Sequence, residues 1–328
     1  MKNLRIRRPI DPAQPMFAAD QCRRVVLAGG AGFLGQALAR KFAQEEHEVV
    51  ILSRRPAPAA GRIRTVVWDG RTVGDWANEL NGAEAVVNLT GRSVACLLTP
   101  ENQREIIASR VDSVRAIAQA CARCDEPPPV IVQASSLAIY GDAGDRICDE
   151  NAPHGTGFSV EVCEAWEAEF FAETGLSGPR RVALRIGFVL GRNGGALGQL
   201  AKLARWFVGG AAGNGRQYIS WLHLDDFCAM VRWVIRNPDA QGVYNATGPA
   251  PATNAEFMRA LRKELGRPWS PPTPVWAVNF GAQFIMGVDP SLALTGRRCI
   301  PRRLQNEGFT LKYTDLAGTL HELLWQPR

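Results

Sequence analysis

The 328-residue chain predicts a doubly wound parallel α/β sheet with a smaller C-terminal lobe. Three observations carry that reading. Apolar runs of strand length alternate with helix-length amphipathic stretches as far as Gly191, the pattern of stacked βαβ units. A glycine-spaced segment, Gly29-Gly30-Ala31-Gly32-Phe33-Leu34-Gly35, joins the first apolar run to the first helical stretch. Beyond Gly191 the alternation weakens, and Gly, Pro and Trp become frequent.

The elements follow in order. Arg24–Ala28 (RVVLA) reads as the first strand and Phe33–Gln44 as its helix. Glu48–Ser53, Thr65–Trp68 and Ala85–Leu89 read as strands two to four. A long helix runs from about Glu101 to Ala122, with Ile106, Val111, Val114, Ile117 and Ala118 on one apolar stripe. Pro127-Pro128-Pro129 stops it, because proline lacks the N–H that a helix needs. Val130–Ala134 is then the fifth strand. The next helix, Phe158–Thr174, carries Val162, Trp166 and Phe170 as its core stripe, and Val182–Ile186 is strand six. Gly242–Ala246 returns to the main sheet. The chain thus divides into a flexible basic extension (1–21), a nucleotide-binding domain (22–190, rejoined by 218–248) and a C-terminal lobe (191–217 and 249–328).

Composition removes several function classes. No apolar run approaches the roughly 20 residues of a membrane-spanning helix. The first residues lack the apolar core of a secretory signal, and Asp11 and Asp20 argue against organelle targeting, so a cytoplasmic protein is expected. The net charge of +6 comes from arginines spread along the chain, with no aromatic-interleaved basic strand, so no nucleic-acid partner is expected. The 8 cysteines read as free thiols, including the isolated Cys121-Ala122-Arg123-Cys124. His47, His154, His223 and His321 share no metal-ligand spacing, so no metal is expected. The expected partner is a small-molecule substrate, with a homodimer left open.

The glycine segment points to a dinucleotide. Gly29 permits the tight turn, Gly32 lets the N–H groups of Phe33 and Leu34 approach a pyrophosphate, and Gly35 lets the helix pack closely. The helix N-terminus adds unpaired donors and a positive dipole end. An acid at the end of the second strand would bind the ribose 2′-OH of NAD. Here that strand ends in Ser53-Arg54-Arg55, and arginine grips a 2′-phosphate through a bidentate fork, so NADP(H) is expected. Asp69, after the third strand, either accepts from the adenine amino group or closes a turn.

Gly29-x-x-Gly32-x-x-Gly35, Asn88-Leu89-Thr90-Gly91, Ser135-Ser136-x-x-x-Tyr140-Gly141 and His223-x-Asp225-Asp226 together resemble the extended short-chain dehydrogenase/reductases. These are Rossmann-type proteins of the NAD-dependent epimerase/dehydratase superfamily. A narrower likeness, to an "epimerase-like" bacterial and organellar subgroup, rests on further stretches. They are Ser109-Arg110-Val111-Asp112-Ser113, Val162-Cys163-x-x-Trp166-Glu167, the run from Ser220 to Asp226, Asn245-Ala246-Thr247, and the run from Gly296 to Leu304. The likeness covers about residues 22 to 325.

The resemblance implies an NADP(H)-dependent oxidoreductase or epimerase-like enzyme for a small polar metabolite, with sugar derivatives among the options. The alternative is a non-catalytic NADP(H)-binding regulatory or scaffold protein. Leu89, Thr90 and Gly91 would line the cofactor, with Ser135 and Arg185 nearer the nicotinamide. Relatives carry Tyr-x-x-x-Lys on the helix after strand five, the lysine lowering the tyrosine pKa. This chain has no such pair. Aligned through Glu167, the two positions fall on Ser159 and Cys163; shifted by one, on Phe158 and Val162. The open candidates for proton handling are Ser136, Tyr140, Glu161, Cys163 and His223. Ser136 is matched to the group that polarises the substrate oxygen, or else caps a loop. Glu161, Trp221 and His223 fall where relatives line the substrate pocket, though the last two equally suit interlobe packing. Arg297 to Arg303 read as a solvated basic face rather than an anion site.

Overall fold

A computed structural model describes residues 23–172, 178–192 and 194–325. The N-terminal extension and the expected helix end at Thr174 lie outside the described residues. Seven strands form the central sheet: β1 (Arg24–Ala28), β2 (Glu48–Ser53), β3 (Ile63–Val67), β4 (Ala85–Asn88), β5 (Val130–Ser136), β6 (Arg180–Ile186) and β7 (Gly242–Ala246). Their spatial order is β7-β6-β5-β4-β1-β2-β3, and every neighbouring pair is parallel. The order reverses between β1 and β4, which opens a crevice above the carboxyl ends of those strands. Central strands are covered on both faces and so read as unbroken apolar runs: Val25, Val26, Leu27 and Ala28 are all 0% exposed.

The helices are α1 (Phe33–Gln44), α2 (Pro100–Cys121), α3 (Phe158–Phe171), α4 (Leu197–Arg205), α5 (Leu224–Arg236) and α6 (Asn254–Glu264), with a last helix over Leu316–Leu324. On one face of the sheet, Leu38 and Phe42 of α1 and Phe227 and Val231 of α5 pack on Val25 and Leu27. On the other, Ile117 of α2 and Trp166 and Phe170 of α3 pack on Val26 and Val86. Local chemistry starts these helices. Thr99 caps α2, its hydroxyl accepting from Asn102 N at 3.2 Å, with Pro100 in the first turn where a missing N–H costs nothing. Thr253 and Glu256 close a capping box on α6.

The C-terminal lobe has its own core of Leu190, Leu197, Ala204, Phe257, Leu261 and Leu320 around Trp221. Part of the chain after Pro249 packs on the main sheet instead. Leu304 and Phe309 belong to the core of the main sheet, and Arg303 donates to Val243 O (2.8 Å) while Tyr244 donates to Glu307 (2.6 Å). The segment around 302–309 therefore covers β7, an edge strand that would otherwise stand open.

Trp221, for which pocket lining and interlobe packing were both open, is core. It is 0% exposed, and its indole N–H donates to Ala250 O at 2.7 Å. Trp221→Ala is therefore expected to destabilise the fold by about 3–5 kcal/mol, the usual cost of emptying a buried aromatic site. Denaturant unfolding measures this, and a loss below about 1 kcal/mol would contradict the core assignment.

Candidate active site

Each glycine at the first crossover answers a different steric demand. Gly29 has φ +72°, and a Cβ there would lie 2.9 Å from the Thr90 backbone. Gly35 would place a Cβ 2.4 Å from Gly30 Cα, so α1 packs against the loop itself rather than against a strand. Gly30, outside the expected motif, is equally constrained, with a Cβ falling 2.8 Å from Leu27 Cβ. Gly32 is different, since a Cβ there would meet nothing nearer than Gly29 O at 4.0 Å. That open space adjoins the start of α1, which no side chain caps. The first-turn N–H groups, including those of Phe33, Leu34 and Gly35, have no intrahelical partner and suit an anion. The Phe33 ring lies against Gly191, Gly194 and Gly195, where any Cβ would collide with it.

At the end of β2, Ser53 Oγ accepts from Arg55 N at 3.3 Å. Arg54 and Arg55 are exposed, and no carboxylate among the described residues pairs with them. Arg24 and Arg64, by contrast, are held by Glu48 and Glu79. Asp69 closes a turn: Oδ1 accepts from Arg71 N (2.8 Å) and Thr72 N (2.9 Å), and Oδ2 from the Thr72 hydroxyl (2.7 Å). Burial, which would raise its pKa, is outweighed by these bonds, and the carboxyl sits below its usual value.

After β4, Leu89 N donates to Ala28 O at 2.8 Å and Thr90 N to Asn88 Oδ1 at 3.0 Å. The Thr90 hydroxyl is buried without a partner, a deficit worth about 1–3 kcal/mol until something supplies one. Gly91 backs onto the Arg110 guanidinium, 3.2 Å from where its Cβ would be. An open cradle at Gly32, an uncapped helix end, an orphaned hydroxyl and two unpaired arginines fit a phosphorylated dinucleotide.

The residues beside this cradle form a hydrogen-bonded network. Arg185 grips Glu167 with both prongs, Nε to Oε1 at 2.9 Å and Nη2 to Oε2 at 2.7 Å. Ser135 donates to Glu167 Oε1 at 2.5 Å. Arg185 Nη1 donates to the Tyr140 hydroxyl (2.9 Å), which donates in turn to Asn245 Oδ1 (2.8 Å). His154 Nε2 lies 3.3 Å from Arg185 Nη2, and its Nδ1 2.8 Å from Glu164. Several expectations change here. Arg185, expected along the nicotinamide, is 4% exposed and spends its donors inside the protein. Tyr140 is 0% exposed with its hydroxyl engaged by Arg185 and Asn245, and burial raises its pKa against the opposing pull of Arg185.

Cys163, another candidate for proton handling, is buried. It packs with Leu137, Ile139, Cys148 and Cys299, and burial pushes its thiol up to about 12. His223, for which pocket lining and interlobe packing were both open, makes packing and capping contacts. Its Nδ1 accepts from Asp225 N (3.0 Å) as the cap of α5, its Nε2 faces Glu322 (3.3 Å), and its ring stacks on Tyr313 at 3.7 Å. Glu161 is exposed in the first turn of α3, where an acid suits the helix dipole. Ser136 stands apart. It is half-buried at the carboxyl end of β5, and its Oγ accepts from Ala138 N (3.1 Å), which leaves its own proton to donate.

The sequence named Glu167 and Asn245 only within stretches of family likeness, Gly30 only within the glycine segment and His154 only as a histidine without metal-ligand spacing, and assigned none of them a role here. A carboxylate beside Trp166 on the apolar stripe of a helix was the available signal, since a buried acid requires a cation. Glu167→Gln strands the Arg185 charge, and is expected to destabilise the protein by about 3–5 kcal/mol. Ser135→Ala, which removes one hydrogen bond, is expected to cost about 1–3 kcal/mol. Equal losses in thermal and denaturant unfolding would contradict an ion pair at the centre of the network.

Comparisons with known proteins agree with this geometry. Residues 25–247 match the model of the NAD dependent epimerase/dehydratase family. The chain is 33% identical over 307 residues to the epimerase family protein SDR39U1 of Bos taurus, covering 92% of this chain and 99% of that one. It is 31% identical over 308 residues to the chloroplastic SDR39U1 homolog of Arabidopsis thaliana, covering 92% and 86% respectively. The crystal structure of human SDR39U1 (isoform 2) with NADPH superposes with a TM-score of 0.81 at 30% identity, over 92% of this chain and 98% of that one. The family match runs from β1 to β7, and on that extent the chain belongs to the NAD dependent epimerase/dehydratase family.

Proposed function

We propose that the protein binds NADP(H) and acts in the cytoplasm as an oxidoreductase or epimerase-like enzyme on a small polar metabolite. One observation carries the coenzyme choice: Arg54 and Arg55 stand exposed and unpaired at the end of β2, one strand from the open Gly32 cradle. A 2′-phosphate is the ligand group that such a pair discriminates. The human relative crystallised with NADPH supports the same reading. Among the described residues, no helix is long and apolar enough to cross a membrane.

When bound, the coenzyme supplies or accepts a hydride at nicotinamide C4. The protein's part is to place the substrate oxygen, and Ser136 donates a hydrogen bond to it. Tyr140 and Cys163 stay protonated near neutrality, so neither relays a proton in the manner of the absent Tyr-x-x-x-Lys pair. The same commitment of Tyr140 favours a second reading, a sensor that holds NADP(H) without turning over a substrate.

Replacing both arginines (Arg54→Ala with Arg55→Ala) is expected to weaken NADPH about 10- to 100-fold and leave NADH nearly unchanged, the worth of one or two charge-assisted hydrogen bonds. Calorimetry with the two coenzymes measures it; equal losses for both, or wild-type protein that binds no NADPH, would refute the coenzyme assignment. In a panel of carbonyl compounds and nucleotide sugars, Ser136→Ala is expected to cut turnover about 10²-fold or more. Tyr140→Phe should lower thermal stability and spare turnover, and the opposite pattern returns Tyr140 to the chemistry. Tight NADPH binding with no turnover across the panel selects the sensor.

A further inference from the structure

We infer that one flank of the C-terminal lobe is a membrane-association surface, which seats the protein on a bilayer containing anionic lipid. Its role does not rest on the coenzyme reading.

The centre of this surface is an apolar helix with almost nothing of its own inside the protein. Val275–Phe280 continues through the wider, π-helical turns of Gly281–Met286 without a charged residue, and Ala282 is its one buried side chain. A surface helix ordinarily buries its apolar stripe and shows a polar face. This one leaves Trp276, Phe280, Phe284 and Ile285 to water, with Trp276 73% and Ile285 76% exposed. Trp276, Phe280 and Phe284 recur at helical spacing, and the last two rings lie 5.2 Å apart.

Neighbouring chain enlarges the patch. Trp206, 81% exposed, follows α4 directly, Phe207 comes next, and Trp269 lies in the loop after α6. Backbone contacts join these stretches. The Ser270 hydroxyl donates to Phe207 O (2.6 Å), Thr273 N to Ala211 O (2.8 Å) and Gly213 N to Thr273 O (2.8 Å). A Cβ on Gly213 would lie 3.3 Å from the Val275 side chain, so the apolar helix leaves from the same junction. Phe207 has φ +60°, a left-handed backbone that bulky residues seldom adopt. Glycine would make that turn without strain, so an exposed ring there calls for a reason other than folding.

Charge decides what can cover such a surface. No acid occurs between Leu197 and Arg216, and between Arg259 and Val288 there is only Glu264, which His321 faces at 3.0 Å. Against it stand Lys202 and Arg205 in the last turn of α4, Lys263 in the last turn of α6, and Arg267. The Arg267 guanidinium lies 5.2 Å from the Phe207 ring centroid. All four cations are exposed, and none has a carboxylate partner among the described residues. Arg262, donating to Gly209 O at 2.8 Å, ties the end of α6 to the α4 side. A second copy of this chain fits poorly, because a two-fold contact would set unpaired cations of one protomer against the same cations of the other. A protein partner would need a hydrogen-bonded rim, and the apolar helix offers only the polar side chains of Asn279 and Gln283. A bilayer meets both features. Its anionic headgroups draw lysine and arginine, and tryptophan rings favour the boundary between headgroups and acyl chains. Association of this kind is peripheral, since no helix among the described residues is long and apolar enough to cross.

The test floats full-length protein with vesicles of phosphatidylcholine alone, or of phosphatidylcholine with about one third phosphatidylglycerol, at low and high salt. Tryptophan emission gives a second readout. Wild type is expected to partition onto the anionic vesicles at least about tenfold more than onto the neutral ones, with a blue shift, and to be released by salt. Trp276→Ser with Phe284→Ser, and separately Lys202→Glu with Arg205→Glu, should each weaken that partitioning about tenfold or more. Arg40→Glu with Arg123→Glu reverses exposed cations on α1 and after α2, and should leave it within about twofold. Thermal unfolding should match wild type in every variant, because the replaced side chains are exposed. Membrane association is ruled out if wild type ignores anionic vesicles at low salt, if either patch variant binds as wild type does, or if the α1 and α2 control loses binding equally. Wild type that binds polyglutamate but no vesicle would assign the surface to an acidic protein instead. A dimer in sedimentation that Trp276→Ser with Phe284→Ser breaks would assign it to a second copy, and either result overturns the inference.

Discussion

The ion pair of Glu167 and Arg185 holds the middle of this molecule together. A carboxylate and a guanidinium taken out of water are tolerated only if their geometry is good and their remaining lone pairs and protons are satisfied. Here both prongs are used, and Ser135, Tyr140 and His154 satisfy what is left. The pair therefore positions α3 against β6, and through Ser135 and Tyr140 it also positions the end of β5 and the turn that follows. Asn245 extends the network to β7, and from there its side-chain N–H groups reach Cys148 O (3.3 Å) and Ile300 O (3.1 Å). The floor of the crevice is rigid because its polar groups restrain one another.

That rigidity has a chemical consequence. Groups that could move protons are consumed in building the floor, and burial keeps Tyr140 and Cys163 protonated. What is left unspent is of another kind: backbone N–H groups of α1, the buried unpartnered hydroxyl of Thr90, the free proton of Ser136, and the exposed guanidinium groups of Arg54 and Arg55 without carboxylates. Each is a donor or a fixed positive charge. Leaving such groups unsatisfied lowers the stability of the empty protein, and a ligand that satisfies them recovers that energy as affinity. The fold is prepared for something rich in oxygen and negative charge.

How legible this was depended on the distance along the chain over which each feature is decided. β1, β2 and α1 fall on the expected residues because apolar run, glycine turn and helix start all lie within one short stretch. β5 runs on to Ser136 although Ser135 and Ser136 are polar, since the ladder to Arg185 and Ile186 is made by backbone groups that hydropathy does not report. The short pairing of Ile147–Cys148 with Arg298–Cys299 joins segments far apart in sequence and carries no local signature. The same holds for the side chains. Tyr140 was a plausible acid until its hydroxyl met Asn245, 105 residues away. Residue type tells what Trp221, His223 and Arg185 could do; only the tertiary partner decides whether they are free to do it. The glycine loop and the paired arginines after β2 were readable because their partner is a ligand, and the surrounding chain is shaped to leave room for it.

The absent Tyr-x-x-x-Lys pair takes on a physical sense in this setting. The lysine position falls on Cys163 or, shifted by one, on Val162, neither of which supplies an ammonium, and a guanidinium beside that helix is that of Arg110, which lies over the Trp166 ring. A lysine ammonium next to a tyrosine tunes a proton transfer. A guanidinium does no such thing, since its own proton never leaves and no phenol in this crevice is poised to ionise. On the proposed reading, the site has moved from acid–base chemistry towards fixed electrostatics.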